Sequence, residues 1–409
     1  MQFILEILVS KPYDISKQRI KVIIIKNRGD KMKITKIEIV RNKKPIPLPA
    51  SWRPAWNEPD ATDTDNLWFS FYKVHTDEGI VGIGPTGLGN IGTSSYAESS
   101  LIGQDPAFIE RFWDINMKGR EIIVGSTSCG GLDIALWDII GKATGMPIYK
   151  ILGACRDKVM AYAATAQLKS AEEYAKMAVE FNSKGVKAMK LRLHRTKIED
   201  DLNVVSAVRD AVKDMIILVD ANQSNLSINY NYWSRRTALT VARELEKLNV
   251  YYFEEPLPRM DLEGLAELSS AVDVYIAGGE HCSNVYEFRD ALFAKAYDIV
   301  QPDVILGNIG ITGIKKVSVI ADSVGRYVVP HVCSGGNNGL YLAATLQALG
   351  SVSNCPFIEY TLDPPALVPD ALHTILKEPI MIDSDGYVQI PQKPGIGVEL
   401  NEDAIAEYI

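Results

Sequence analysis

Cysteine is scarce in this sequence, and its few positions suggest neither disulfides nor a zinc site. The 409 residues include five cysteines, an odd number, widely scattered and without a C-x-x-C pair. This pattern is typical of reduced thiols in an intracellular protein. We therefore expect a cytoplasmic location.

Long apolar runs and dense basic blocks are also missing. No stretch approaches the roughly 20 apolar residues of a membrane helix, and the start MQFILEILVS lacks the basic region of a signal peptide. The formal net charge is -8, and no basic segment is interleaved with aromatic residues. We therefore expect neither a membrane nor a nucleic acid as partner.

Apolar residues, by contrast, make up 47% of the chain, enough for a large globular core. Residues 1–31 are cationic and lack amphipathic structure, so we predict a peripheral N-terminal extension. Residues 32–155 contain the strand pair WFSFYKVHTDEGIVGIGP and helices such as ALWDIIGKATG. These patterns predict an α+β domain, which we expect residues 370–409 to complete.

Between residues 156 and 369, short strand-like runs alternate with amphipathic helical stretches. The runs recur about every 23 to 34 residues, the length of a β-α unit. They are VMAYAATA, AMKLRL, IILVDA, VYYFEEP, VYIAGGE, DIVQPDV, YVVPHV and FIEY. Eight such runs predict an α/β barrel of parallel strands, with a doubly wound open sheet as the alternative.

Every run after the first has ionisable residues at its C-terminal end. These residues are Lys190 and Arg192, Asp220, Glu254, Glu280, Asp303, His331 and Glu359. A single Asp after a strand is more often a helix N-cap. However, the C-terminal ends of parallel barrel strands meet at one mouth, where catalytic residues gather. The succession therefore predicts an active site there.

Three of the carboxylates would repel one another at this mouth unless a cation lies among them. Asp220, Glu254 and Glu280 offer only oxygen ligands, which suits Mg²⁺. Lys190 and Arg192 stand two places apart, so they face the same side of one strand. This cationic row predicts a carboxylate substrate.

A histidine and a further carboxylate complete the set. His331, oriented and made more basic by Asp303, predicts proton transfer on the other side of the site. The whole arrangement suits removal of the α-proton of a carboxylate and stabilisation of the resulting enediolate.

The order of the motifs carries a family resemblance. ALWDIIGK, MKLR, VDANQ, FEEPL, GGEH, QPD, PHV and IEY follow one another along the chain. With them, residues 32–409 resemble the enolase superfamily, specifically the mandelate racemase-like subgroup with its sugar-acid dehydratases. The resemblance implies a capping domain on a modified (β/α)7β barrel and Mg²⁺ held by the three carboxylates named above.

The same resemblance implies roles for the remaining residues. Asp303 and His331 would form a catalytic dyad, and Glu359 would hydrogen-bond the substrate carboxylate. Asn222 stands where some dehydratases of the superfamily carry a catalytic His, and it would instead help to hold the metal or the substrate. We also expect a homo-oligomer.

One departure from the subgroup concerns the second strand of the barrel. The subgroup usually carries K-x-K there, whereas this chain has Lys190-Leu-Arg192. Because Arg is a poor proton acceptor, a two-base racemase is less favoured than a dehydratase in which His331 protonates the departing β-hydroxyl. Whether Lys190, Arg192 or His331 removes the α-proton stays open.

The loop LPASWRPAWNEP, at 48–59, is expected to close the site. Trp52, Arg53 and Trp56 are candidate substrate contacts, or the two tryptophans simply pack the interface between domains. His194, one step beyond the second strand, is a less favoured contact.

The sequence therefore predicts a Mg²⁺-dependent dehydratase that acts on a small sugar acid. The best-matching substrate is an aldonate, preferably a pentonate such as arabinonate or xylonate, converted to a 2-keto-3-deoxy acid through an enediolate. One alternative is a racemase or epimerase of a 2-hydroxy acid. Another is a barrel that only binds, against which the intact carboxylates and His331 argue.

Overall fold

The N-terminal part of the chain is built on two small antiparallel sheets. The structure, a computed structural model, describes residues 32–57, 61–87, 100–119, 129–224 and 232–409, so the predicted extension 1–31 lies outside it. The strands are β1 (Ile34–Arg41), β2 (Ile46–Trp52), β3 (Thr64–Leu67), β4 (Ser70–Thr76) and β5 (Val81–Pro85). The order β1-β4-β5 forms one sheet, and β2 pairs with β3 in the other.

A buried helix packs against this first sheet at very short distance. The helices of this part are α1 (Ile109–Gly119), α2 (Cys129–Thr144) and α3 (Ile148–Ile151). A methyl group at Gly84 of β5 would lie 1.8 Å from the carbonyl oxygen of Gly131 on α2, and one at Gly82 would lie 2.1 Å from that of Ala135. Glycine is therefore required on this face of β5.

Eight parallel strands follow and form one curved sheet. They are β6 (Lys158–Ala164), β7 (Ala188–Arg192), β8 (Ile216–Asp220), β9 (Val250–Glu254), β10 (Tyr275–Gly278), β11 (Ile299–Val300), β12 (Tyr327–Val328) and β13 (Phe357–Thr361). Their order in the sheet is β12-β11-β10-β9-β8-β7-β6-β13. Because the order follows the sequence around a ring, the barrel prediction is confirmed and the doubly wound alternative is wrong.

One helix separates each strand of the barrel from the next. They are α4 (Ala171–Ser183), α5 (Ile198–Ala211), α6 (Arg235–Lys247), α7 (Leu262–Ala271), α8 (Val285–Phe293), α9 (Gly310–Ser323) and α10 (Asn338–Leu349). This is the predicted (β/α)7β arrangement. None of the helices in the described ranges is long and apolar enough to cross a membrane.

Local sequence explains both the helix starts and the barrel interior. At the start of α4, the Ser170 hydroxyl accepts from the Glu173 amide at 3.2 Å, and the Glu173 carboxylate accepts from the Ser170 amide at 2.8 Å. This reciprocal pair is a capping box. Alternate strand residues such as Tyr162, Leu218 and Tyr252 point inward and fill the barrel with a separate apolar cluster.

The C-terminal segment contacts both parts of the structure. After α11 (Pro369–Leu372), the strand β14 (Tyr387–Gln389) pairs antiparallel with β6 of the barrel. In α12 (Glu402–Tyr408), the Tyr408 carbonyl accepts from the amides of Lys43 and Lys44 at 2.7 and 3.0 Å. The tail thus contacts the N-terminal part and also extends the barrel sheet, and its assignment to the N-terminal domain stays a prediction. The domain boundaries 32–155 and 156–369 stay a prediction.

Two loops at the barrel mouth are hydrogen-bonded to the N-terminal part. After β11, the side-chain oxygen of Asn308 accepts from the Gly130 amide of α2 at 2.6 Å. After β12, the Asn337 amide donates to the Ser70 carbonyl at 2.6 Å and accepts from the Ser70 amide at 2.9 Å. The N-terminal part therefore fixes the positions of two mouth loops.

The contact between β5 and α2 can be tested with alanine at Gly84. We expect Gly84→Ala to lower the free energy of unfolding by at least about 3 kcal/mol, the upper end of overpacking costs. Gly79→Ala is the matched control because Gly79 has a φ of +77° but open space around it, so only the left-handed penalty of about 1 kcal/mol applies. Urea unfolding of both variants measures the difference, and equal losses would contradict the close packing.

Candidate active site

Ionisable side chains from seven consecutive strands converge at the C-terminal mouth of the barrel. Lys190 and Arg192 lie on β7, and Asp220 and Glu254 end β8 and β9. The other four members lie in β13 or just beyond the ends of β10, β11 and β12; they are Glu280, Asp303, His331 and Glu359. All but His331 are buried. Such a concentration of buried charge requires specific pairing.

The ammonium group of Lys190 is the centre of this cluster. Its Nζ lies 3.0 Å from Glu254 Oε2, 2.8 Å from Glu359 Oε1 and 4.0 Å from Asp220 Oδ2, and the side chain is fully buried. Burial alone would lower the pKa of Lys190, but the charges of Glu254 and Glu359 outweigh it and hold the pKa above its ordinary value. These carboxylates therefore favour the charged form of Lys190.

Arg192 is held on several sides at once. Its Nη1 donates to the Asp220 carboxylate and, at 3.1 Å, to Asn222 Oδ1, while its Nε donates to the Thr165 carbonyl at 2.9 Å. The ring of Trp56 covers the guanidinium, with 4.9 Å between Arg192 Cζ and the ring centroid. The charge is permanent, so Arg192 is positioned to attract an anion and not to accept a proton.

His331 is oriented by Asp303. Their Nδ1 and Oδ2 atoms are 2.6 Å apart, and the other oxygen of Asp303 accepts from the amides of Ile305 and Leu306 at 2.5 Å each. These bonds fix the imidazole so that Nε2 faces the mouth, 3.6 Å from Glu280 Oε2.

The charge state of His331 follows from its surroundings. Burial would lower the pKa of His331, but the carboxylates of Glu280 and Glu359 outweigh it and hold the pKa well above its ordinary value. The ring can therefore carry a proton toward the mouth of the barrel.

A cavity of about 310 Å³ lies between the loop after β2 and the barrel mouth. The sequence-predicted residues that line it are Trp52, Trp56, Arg192, Asn222, Glu280, His331 and Glu359. Four others, Lys190, Asp220, Glu254 and Asp303, are buried beneath this lining. Arg53 does not line it: its side chain is exposed, with Nε 2.5 Å from Asp63 Oδ1.

Several cavity residues were not among the site residues predicted from the sequence. Cys333 and Ser334 line the cavity directly after the PHV motif, and His281 lines it with Nε2 at 3.2 Å from Glu280 Oε1. The glycine-rich run CSGG was the available signal for the first two. His194 is not among the lining residues; its Nε2 lies 2.8 Å from Asn222 Oδ1.

Family profiles match both parts of the chain. Residues 173–404 match the profile described as "Enolase C-terminal domain-like", and residues 61–153 match "Mandelate racemase / muconate lactonizing enzyme, N-terminal domain". The chain belongs to the enolase superfamily, in its mandelate racemase / muconate lactonizing enzyme branch. The resemblance predicted from the motifs is confirmed.

Characterised members of the family are similar over most of the chain. An arabinonate dehydratase of Saccharolobus solfataricus is 32% identical over 82% of this chain and 89% of its own length. A D-galactarolactone cycloisomerase of Agrobacterium fabrum is 31% identical over 82% and 90%. The crystal structure of L-talarate/galactarate dehydratase from Salmonella typhimurium LT2, liganded with Mg and L-lyxarohydroxamate, is 25% identical with a TM-score of 0.77, covering 93% of this chain and 94% of that one.

The buried carboxylates at the barrel mouth can be compared with the oxygen ligands that a divalent cation requires. The buried carboxyl groups at the mouth outnumber the fixed cations Lys190 and Arg192. Burial and the neighbouring Asp220 raise the pKa of Glu254 to about 7, which reflects this excess. Glu255 adds a further buried carboxylate, one oxygen of which lies within 4.8 Å of an oxygen of Glu280. Surplus carboxylate oxygens of this kind fit Mg²⁺.

Removal of the Lys190 ammonium group should therefore lower the free energy of unfolding of this protein. We expect Lys190→Met to lower the free energy of unfolding by about 3–5 kcal/mol in the presence of a chelator, since it leaves buried carboxylates unpaired. Lys184→Met removes a single exposed ion pair with Glu180, and its effect should stay within about 0.5 kcal/mol. Urea unfolding compares the two, and similar losses would argue against a cluster that depends on Lys190.

Proposed function

We propose that this enzyme is a Mg²⁺-dependent hydro-lyase that converts an aldonate to a 2-keto-3-deoxy acid. The observation that carries the proposal is the asymmetry of the cavity: the Asp303–His331 dyad faces it on one side, and Arg192 stands on the other. Two dehydratases among the similar proteins support the reaction class. A pentonate such as arabinonate or xylonate is the preferred substrate, in line with the arabinonate dehydratase.

Asp220, Glu254 and Glu280 would hold the Mg²⁺, and a relative with bound Mg supports this assignment. When bound, the ion supplies Lewis-acid stabilisation of the negative charge that develops on the substrate carboxylate. Arg192 lines the cavity and Lys190 lies beneath it, so both cations attract the same carboxylate. Glu359 also lines the cavity, where it can hydrogen-bond the substrate.

Proton transfer falls to His331 in this proposal. Arg192 carries a permanent charge, and Lys190 is paired with Glu359 beneath the cavity lining, so we assign the α-proton to neither. Glu280 raises the pKa of His331, and a cation held by Glu280 would offset that negative charge and leave His331 neutral. Neutral His331 takes the C2 proton, and the electrons of the C–H bond enter the enediolate. The electrons then form the C2=C3 bond as the C3–O bond breaks, His331 returns the proton to the departing hydroxyl, and water leaves. The enol product tautomerises to the 2-keto acid.

The part of the cavity wall that comes from the N-terminal part favours a substrate with one carboxylate. The end of β2, the loop after it and the strand β3 contribute Trp52, Pro54, Trp56, Asn57 and Thr64 to the lining, none of them cationic. A second carboxylate of the substrate would meet no cationic partner in the described lining of this wall, so an aldonate fits better than a diacid.

The state of the cysteines bears on the cellular location. All five cysteines lie within the described residues and are free thiols, which supports the expected cytoplasmic location. The homo-oligomer predicted from the sequence stays a prediction.

The role of His331 predicts a specific loss of activity. We expect His331→Asn to reduce the formation of 2-keto acid from aldonates by at least about 10³-fold, because general acid–base catalysis contributes roughly 10²–10⁴-fold per step. His75→Asn, at a partly exposed His on β4, is the control and should retain activity. A colorimetric assay of 2-keto acid measures both, and turnover retained in His331→Asn would refute the assignment.

The same assay in deuterated water separates dehydration from the racemase alternative. Dehydration gives a product that lacks the β-hydroxyl. Recovery of deuterated substrate with inverted configuration, without 2-keto acid, would instead favour a racemase or epimerase.

Metal dependence is tested by calorimetric titration with Mg²⁺. We expect binding to the wild type and an affinity at least about tenfold weaker in Glu280→Gln, because a charged ligand is lost. Glu263→Gln, at an exposed position of α7, should bind Mg²⁺ like the wild type. If titration of the wild type gave no heat of binding, the proposed cofactor would be wrong.

A further inference from the structure

Asp363, on the loop after β13, is a buried carboxylate with four hydrogen-bond donors. Its Oδ2 accepts from Trp52 Nε1 at 3.1 Å and from the amides of Ala166 and Gln167 at 3.1 and 2.9 Å. Its Oδ1 lies 2.7 Å from Lys169 Nζ. The residue is fully buried, and charge-assisted bonds of this kind are stronger than neutral ones. Asp363 thus joins the loop after β2, the loop after β6 and the loop after β13.

The indole that Asp363 holds belongs to the aromatic wall of the cavity. Trp52 and Trp56 pack edge to face with ring centroids 6.0 Å apart. Trp56 in turn lies over the guanidinium of Arg192. Direct contacts therefore run from Asp363 through both indoles to the cation that faces the cavity.

Asp363 also holds the segment 52–57 through a backbone hydrogen bond. The peptide group between Ala166 and Gln167 donates its N–H, that of Gln167, to Asp363 at 2.9 Å, and its carbonyl, that of Ala166, accepts from the Ala55 amide at 2.8 Å. Ala55 lies between the two tryptophans in sequence, and its carbonyl accepts from His194. The carboxylate thus orients a peptide group that itself holds the segment 52–57. Loss of the carboxylate would loosen this segment at both points.

We infer that Asp363 is a positioning residue that fixes the Trp52–Trp56 wall and thereby sets the length of acid that the cavity accepts. It does not line the cavity, so it acts through Trp52. The wall and His331 line the same cavity, so a displaced wall changes the space left for the carbons of the substrate that lie beyond the reacting ones. The inference rests on the proposed function for the identity of that substrate, and on geometry alone for the position of the wall.

Trp52→Phe is the sharpest test because it keeps an aromatic ring and removes the indole N–H that Asp363 accepts. We expect amide exchange in the segment 52–57 to become about fivefold faster, the factor that corresponds to one hydrogen bond. We also expect the ratio of kcat/KM for a hexonate to that for a pentonate to rise at least about threefold. Hydrogen–deuterium exchange mass spectrometry and steady-state kinetics measure the two effects.

A control variant distinguishes positioning from general stability. Trp137→Phe removes an indole N–H bond of similar length, 2.9 Å to the Thr312 hydroxyl, away from the cavity lining. This control should keep the selectivity ratio and the exchange of segment 52–57 at wild-type values.

The outcomes separate this inference from the proposed function. If Trp52→Phe leaves exchange and selectivity unchanged, or if Trp137→Phe changes them equally, Asp363 does not position the wall. If the wild type dehydrates no aldonate, the proposed function fails, while the exchange of segment 52–57 still supports or overturns the positioning role.

Discussion

The buried ammonium group of Lys190 is the interaction on which the barrel mouth depends. Although Lys190 lies on β7, it contacts Glu254 on β9 and Glu359 on β13, strands on both sides of its own. Without it, carboxylates from several strands would face one another across a low-dielectric interior, where like charges repel strongly. The Lys190 ammonium group therefore allows enough carboxylates to lie close together to bind a divalent ion.

The geometry of the Asp303–His331 pair depends on the N-terminal part rather than on the barrel alone. The strands β11 and β12 are only two residues long, so Asp303 and His331 lie on loops beyond them. Those loops are fixed by the bonds of Asn308 to Gly130 and of Asn337 to Ser70. A short strand leaves its following loop free to adopt a specific shape, and the N-terminal part supplies the contacts that select that shape.

The eight strands and their terminal charges were predictable because both are local patterns of residue type and spacing. The hydrogen-bond partners of individual side chains were harder to predict from the sequence. Trp52 and Asp363 are 311 positions apart, and no spacing rule connects them. Arg53 lies between two residues that face the cavity or its rim, yet it pairs with Asp63 in solvent, since neighbouring residues of an extended segment face opposite ways. Ligand and catalytic roles for the mouth residues stay predictions because geometry alone does not demonstrate them.

The replacement of a second lysine by Arg192 makes the two sides of the cavity chemically unequal. A lysine could lose its proton in a cationic setting, whereas the guanidinium is bound to Asp220 and Asn222 and covered by Trp56. Asn222 accommodates this arrangement with a left-handed φ of 45°, which Asn tolerates better than most residues. One side of the cavity then offers only fixed positive charge and the other a titratable imidazole. Inversion at the α-carbon needs a base on each face of the substrate, whereas elimination needs only one base. The chemical difference between the two sides of the cavity therefore favours the loss of water.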